Sequence, residues 1–160
     1  MVPDVLLTFL AVRRGPGVAL RAALSAAAGA ILGGAIMLGW AHADAALVER
    51  AIDMVPGIDG SLIARVKSAV SEAWLPALLL GAFSGAPYKL YATAAGEQGI
   101  AVLPFLAMTF VARLSRFVLS VFLAHVLAGL LRRFGRRSFV VPAWAVWWVG
   151  FYAVYWTVMS

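Results

Sequence analysis

Long apolar runs make up most of this chain, and its polar residues are gathered into a few short segments. A membrane-spanning helix needs about 20 consecutive apolar residues, because each residue advances the helix by only about 1.5 Å. Three runs, at residues 18–40, 104–131 and 140–158, are long enough to meet this requirement. The pattern therefore predicts one spanning helix over each of these ranges.

Residues 42–73 form the most polar part of the chain and interrupt this pattern. Within them, apolar side chains recur at helical spacing over residues 47–52 and again over residues 62–70. Proline, glycine and aspartate residues at positions 56–60 separate the two stretches. We therefore predict two short amphipathic helices that lie at the membrane surface, on its extracytoplasmic side.

Residues 74–96 are apolar but contain a segment that breaks a helix. The residues of the break are Ser84, Gly85 and Pro87. Proline lacks a backbone N–H, and backbone groups freed at membrane depth are tolerated only where protein or water surrounds them. The segment therefore predicts a re-entrant hairpin of two short helices, with the cation Lys89 near its tip.

Residues 1–12 are similar to one half of a second hairpin. Pro3 is the predicted break of this hairpin, and Asp4 directly follows it. The apolar stretch after Asp4 extends only about 12 Å before Arg13, far less than a bilayer core of about 30 Å. We expect these residues to be the returning arm of a hairpin whose first arm lies upstream of Met1 in the native gene. The alternative is that Asp4 is an ordinary exposed residue at a terminus.

A narrow polar stripe marks the long apolar helix predicted over residues 104–131. Its members, spaced by four, three and four residues, are Thr109, Arg113, Arg116 and Ser120. An ionised side chain in hydrocarbon is costly, so we expect the stripe to face the helix break rather than lipid.

Two roles are open for the cations of this region. A guanidinium binds phosphate through two parallel hydrogen bonds, which makes Arg113 and Arg116, together with Lys89 and Asp4, candidates for an anion or lipid-headgroup site. Alternatively, the two arginines donate to carbonyl groups of the broken backbone and brace the fold.

Small residues on the first predicted spanning helix indicate a packing face. Ser25, Gly29 and Gly33 recur every four residues and therefore lie on one side of the helix. Small side chains let a second helix approach closely, so this side is predicted to contact another helix.

Aromatic residues are concentrated in the last predicted helix, residues 140–158. Those at its two ends are typical of anchors at the membrane interface. The others, such as Trp148, are expected to face lipid.

Composition and charge limit what the protein does. Its 160 residues are 64% hydrophobic and 12% charged, which predicts one polytopic all-α membrane domain with no room for a soluble catalytic domain. Two groups of arginines, at residues 13–21 and 132–137, flank apolar runs and account for much of the net charge of +6. Arginine-rich segments beside spanning helices stay on the cytoplasmic side of the membrane, which predicts a multi-pass protein of the cell (inner) membrane. Since the arginines are explained in this way, we expect no nucleic-acid partner.

Signatures of enzymes and metal sites are missing from the sequence. It has no cysteine, and neither His42 nor His125 belongs to a zinc or hydrolase motif. We therefore expect no enzymatic activity, no metal and no cofactor.

Three further polar residues are given structural roles. His125 lies away from the polar stripe and is predicted to be packed or interfacial. Glu97 and Gln98, at the hairpin exit, are expected to be solvated.

Several motifs, in order along nearly the whole chain, resemble those of the DedA superfamily. They are Pro3-Asp4-Val5-Leu6-Leu7, Arg13-Arg14, the glycine-rich stretch at residues 28–34, the hairpin sequence at residues 83–96 with its Pro87-Tyr88-Lys89, and Ala112-Arg113-Leu114-Ser115-Arg116-Phe117. The closest similarity is to the short YqaA-like branch, whose members are also described as VTT-domain or SNARE-associated-type membrane proteins.

This resemblance implies two re-entrant hairpins that face each other, enclosed by spanning helices. It also implies that Asp4 corresponds to the first hairpin tip, Pro87 and Lys89 to the second, and Arg113 and Arg116 to the arginine motif. The leading hypothesis is a lipid translocase or scramblase acting on membrane lipids, including a phosphate-bearing polyprenyl carrier, as a monomer or a homo-oligomer. The alternatives are a non-transporting membrane-integrity factor that acts through protein contacts and a proton-coupled ion transporter.

Overall fold

The computed structural model describes residues 2–55, 58, 60–135 and 137–159, and these residues are helical almost throughout. Within them no β-strand occurs, which confirms the predicted all-α class. The helices are α1 (Val2–Arg14), α2 (Pro16–Ala43), α3 (Ala45–Asp53), α4 (Gly60–Ser84), α5 (Tyr88–Glu97), α6 (Val102–Arg133) and α7 (Val140–Met159), with a short 3-10 helix at Arg137–Phe139.

Helices α2, α4 and α6 are long and apolar enough to cross a membrane. The described apolar part of α7, Val140–Val154, is shorter. Large apolar side chains project outward from these helices, and Leu32 and Ile36 on α2 are each 68% exposed. Since so much outward apolar surface is stable only against lipid, the chain is a helical membrane protein.

A kink divides α4 into a polar half and an apolar half. Ala73 has non-helical backbone angles, with φ −160° and ψ 90°, and Pro76 follows three residues later. Pro76 has no N–H for the carbonyl four residues earlier and crowds it sterically, which explains the kink. The predicted surface helix and the first arm of the predicted hairpin are therefore joined by a kink rather than by a loop.

The chain forms two compact units, one of residues 1–26 and 117–160 and the other of residues 27–116. In the second unit, residues 90–96 of α5 are all buried, among side chains of α2, α3, α4 and α6. Most of these α5 residues are small, so neighbouring helices can approach them on every side. Helix α5 is therefore the core of this unit.

Glycines mark the closest approaches between α5 and α2. A Cβ atom on Gly96 would lie 2.5 Å from the carbonyl oxygen of Leu38, and one on Gly34 would overlap the hydroxyl oxygen of Tyr88. Neither position has room for any side chain larger than hydrogen without a shift of its neighbour. These two glycines therefore set the contact between the helices.

The packing face predicted on α2 needs correction. Ser25, Gly29 and Gly33 are exposed, and nothing lies within 4 Å of a Cβ atom built on either glycine. Contact within the chain uses Gly34 instead, one residue away and therefore about 100° around the helix. The spacing identified a face of small residues, but among the described residues the contact with another helix is made at Gly34.

In the first unit, α1 packs against α7 through a hydrogen-bonded threonine. The buried Thr8 hydroxyl accepts from the indole Nε1 atoms of Trp144 and Trp148, each at 3.0 Å. The Phe9 ring lies beside Trp144, with 5.1 Å between ring centroids. The prediction of a lipid-facing residue is therefore wrong for Trp148, whereas Trp147 is 69% exposed and faces outward.

Candidate functional site at the helix break

The chain breaks between α4 and α5 within the segment predicted from the sequence. Gly85 has φ +86°, a left-handed conformation that favours glycine. Pro87 is the extended N-cap residue of α5, and it has no N–H that would need a partner. The Ser84 hydroxyl donates to the Gly81 carbonyl at 3.1 Å and accepts from the Ala86 amide at 3.4 Å. Together these residues end one helix and begin the next.

Tyr88, the first residue of α5, is the side chain around which the site is built. Its ring stacks on Phe105, with centroids 6.3 Å apart and ring planes 14° from parallel. Its hydroxyl shares a hydrogen bond of 2.9 Å with the buried Thr109 hydroxyl. The hydroxyl also lies against the α2 backbone at Gly34. Tyr88 therefore joins the beginning of α5 to both α2 and α6.

Arg113 lies one turn beyond Thr109 on α6 and covers the Tyr88 ring. Its guanidinium carbon is 4.6 Å from the ring centroid, which is the geometry of a cation–π contact. Such a contact contributes about 2 kcal/mol when it is desolvated. The ring therefore holds this cation beside the break and offsets part of the cost of removing it from water.

Arg116 satisfies a carbonyl group that the break leaves without a helical partner. Its Nη1 atom donates to the carbonyl oxygen of Ala82, in the last turn of α4, at 2.6 Å. The last four carbonyls of any helix lack a partner within that helix, and an unpaired one in hydrocarbon costs several kcal/mol. This is the bracing role that the sequence left open for the arginines.

Three of the four stripe residues contact the hairpin around its break, as predicted. These three are Thr109, Arg113 and Arg116. The fourth, Ser120, donates instead to the Oδ1 atom of Asp4 at 3.5 Å. The spacing of the stripe thus predicted the orientation of the residues nearest the break.

Asp4 is buried in the first unit, with 4% of its surface exposed. Its carbonyl accepts from the Thr8 hydroxyl at 2.7 Å, within an unbroken α1. The alternative of an exposed terminal residue is therefore wrong for Asp4. Pro3 is exposed and stands in the first turn of α1 rather than at a break, a position where its missing N–H costs nothing.

Lys89 follows Tyr88 and is half-buried. Its backbone carbonyl accepts from the Thr93 hydroxyl at 2.8 Å. Among the residues that the structure describes, its ammonium group has no hydrogen-bond or ion-pair partner. Within the described part of the chain, the site thus holds a cation with no carboxylate at ion-pair distance.

A small cavity lies beside Tyr88, lined by residues that include Gly81, Tyr91 and Arg113. Its volume of about 10 Å³ is enough for about one water molecule. A phosphate group is larger than this space. The cavity in this structure therefore does not hold a group of that size.

A second polar cluster joins α3, α4 and α5. The Nζ atom of Lys67 lies 3.0 Å from a carboxylate oxygen of Glu49 and 3.1 Å from one of Glu97. The side chain of Glu97 is only 15% exposed, so the expectation that it is solvated is wrong. Gln98 is exposed as expected, and its side-chain amide donates to the Lys67 carbonyl at 3.2 Å.

Two residues that organise these clusters were not singled out from the sequence. Tyr88 belongs to the Pro87-Tyr88-Lys89 motif. It is the first large side chain after the small residues of the break, and this feature of the sequence could have identified it. Lys67 carried no such signal, because its partner Glu97 is thirty residues further along the chain.

Comparison of the chain with protein-family models, with curated proteins and with solved structures finds no match.

Replacing Arg116 with methionine is expected to lower the midpoint of thermal unfolding in detergent, because the Ala82 carbonyl loses its donor. A buried acceptor left without a partner costs about 1–3 kcal/mol. Arg116→Lys is expected to recover part of this loss, since an ammonium donates a hydrogen bond but lacks the planar fork. The control, Arg133→Met, removes the same charge from an exposed position on the same helix. Equal midpoints for the two methionine variants would contradict the bracing role.

Proposed function

We propose that this protein moves phosphate-bearing lipids between the leaflets of the cell membrane, as its resemblance to the DedA superfamily implies. The observation that carries the proposal is a cluster of three cations, Lys89, Arg113 and Arg116, around a helix break in an otherwise apolar part of the chain. Intramembrane cations are costly, and apart from those that pair with backbone carbonyls they mark the pathways of polar substrates.

The depth of the arginines supports this role. Helix α6 has 32 residues and is therefore about 48 Å long. Arg113 lies about 7 Å and Arg116 about 2 Å from its midpoint along the axis. A headgroup that crosses the bilayer is least stable near the middle of the hydrocarbon, so cations at that level lower the barrier most.

The two arginines have different roles in this proposal. Arg116 keeps the break intact through the Ala82 carbonyl, while Arg113, supported on the face of Tyr88, and Lys89 attract the phosphate. A guanidinium offers two parallel donors to phosphate oxygens, and an ammonium adds a point charge. The acyl or polyprenyl tail stays in the lipid throughout, and no covalent bond changes. The basic groups near residues 13–21 and 132–137 are placed on the cytoplasmic side in this proposal.

The test is an assay of leaflet exposure in vesicles that contain the reconstituted protein and a fluorescent phospholipid or polyprenyl phosphate. Arg113→Gln and Lys89→Gln are each expected to slow lipid movement by about 10- to 100-fold, because a hydrogen bond to a charged group contributes about 1.5–3 kcal/mol. The control is Arg65→Gln, an exposed residue in the polar half of α4.

Lipid movement that is equal in both variants and the control, or no faster than in protein-free vesicles, would contradict the proposal. The unfolding midpoint of each variant shows whether a loss of movement reflects loss of fold.

A non-transporting role through protein contacts is the second candidate, because Gly29 and Gly33 present an exposed and open surface on α2. Normal lipid movement in the Arg113 and Lys89 variants would favour that second role.

A further inference from the structure

An open cleft of about 440 Å³ lies in the first unit, where the end of α1, the end of α6 and the beginning of α7 meet. Arg13, Arg14 and Arg132 line it, together with Phe9 and the valines at positions 12, 140 and 141. The cleft is far larger than the cavity beside Tyr88, and among the described residues that line it there is no carboxylate.

Two of the three guanidinium groups are held in place. Arg132 donates to the carbonyl of Val12, in the last turn of α1, where a helix leaves its carbonyls without partners. Arg13 lies over the ring of Phe9, with 5.9 Å between its guanidinium carbon and the ring centroid. Both guanidinium groups therefore have fixed positions at the cleft.

The remaining lining identifies the chemical class of that ligand. The half-buried side chains of Phe9 and Val141 form an apolar wall beside the cations, whereas Val12 and Val140 are almost fully buried. A small inorganic anion would use the cations but not this wall. A phospholipid uses both, because its phosphate is negative and its chains are apolar.

We propose that this cleft binds the headgroup of an anionic phospholipid, with the phosphate on Arg13, Arg14 and Arg132 and the adjoining chain against Phe9 and Val141. The inference is independent of the proposed translocation, because it uses none of the residues at the helix break. It describes a resident lipid at a membrane interface rather than a lipid that crosses.

The test compares retention of phosphatidylglycerol and phosphatidylcholine by the full chain in mixed micelles, measured by native mass spectrometry. Phosphatidylglycerol is expected to bind more tightly. The double variant Arg13→Gln/Arg14→Gln is expected to weaken its binding about 10- to 30-fold, since each arginine near a membrane surface contributes about 1 kcal/mol. Phosphatidylcholine retention should not change. This variant keeps Arg132 and its bond to α1, so we expect it to fold, and an unchanged unfolding midpoint checks this.

The matched control is Arg21→Gln/Arg133→Gln, which removes the same charge from exposed residues outside the cleft. An equal loss in both double variants, or equal retention of the two lipids by the unmodified protein, would overturn the proposal. So would displacement of phosphatidylglycerol by millimolar inorganic phosphate, which would make this a small-anion site. Binding is measured without transport, so failure of lipid movement at the helix break leaves this result unaffected.

Discussion

Gly96→Ala is expected to lower the midpoint of thermal unfolding in detergent by the largest amount of any single methyl addition to α5. The new Cβ atom would lie 2.5 Å from the Leu38 carbonyl oxygen, 2.9 Å from the Ala41 Cβ atom and 3.2 Å from the His42 nitrogen. Two of these atoms belong to the backbone of α2, so a rotamer change cannot relieve the overlap. Overpacking of this kind costs about 1–3 kcal/mol or more.

The matched control for this variant is Gly33→Ala on α2. It adds the same methyl group where nothing lies within 4 Å, and alanine favours a helix over glycine by about 1 kcal/mol. We therefore expect its midpoint to stay level or rise. If both variants unfold at the same temperature, α5 does not contact α2 in the way described.

Thr8→Val is expected to destabilise the protein although the two side chains have nearly the same shape. The Thr8 hydroxyl accepts from two indole N–H groups at 3.0 Å and donates to the Asp4 carbonyl at 2.7 Å. A hydroxyl has one proton and two lone pairs, so its whole hydrogen-bonding capacity is used. Valine leaves both indoles without their acceptor, at a cost of about 1–3 kcal/mol each. The midpoint of thermal unfolding measures the loss.

Thr157→Val is the control for this second variant. The Thr157 hydroxyl is exposed and donates only to the Val154 carbonyl of its own helix, so its removal should change the midpoint little. A Thr8 variant as stable as this control would show that the two indoles do not depend on Thr8.

The helix break was predictable because its causes are local. Gly85 adopts a backbone conformation that other residues avoid, and Pro87 lacks a donor, so two neighbouring residues are sufficient to stop a helix. The orientation of Thr109, Arg113 and Arg116 was predictable for a similar reason. Their spacing alone places them on one side of α6, and the cost of exposing cations to lipid turns that side toward the protein.

The partners within the site were not predictable in the same way. The spacing on α2 revealed small residues at Ser25, Gly29 and Gly33, yet the contact with Tyr88 is made at Gly34. In a soluble protein, hydrophobicity would distinguish the buried face of a helix from the exposed one. In a membrane protein both faces are apolar, so the pattern contains no such information.

The sequence by itself determined the helical class, the membrane location, the position of the break and the set of cations near it, because these follow from composition and from neighbours within a few residues. Only the tertiary structure decided that Tyr88 joins three helices, that Lys67 pairs with Glu97 and that Thr8 binds two indoles. Those contacts join residues that are tens to more than a hundred positions apart. Their formation depends on which helix faces meet, and in a lipid solvent that is settled by close packing and hydrogen bonding rather than by hydrophobic pattern.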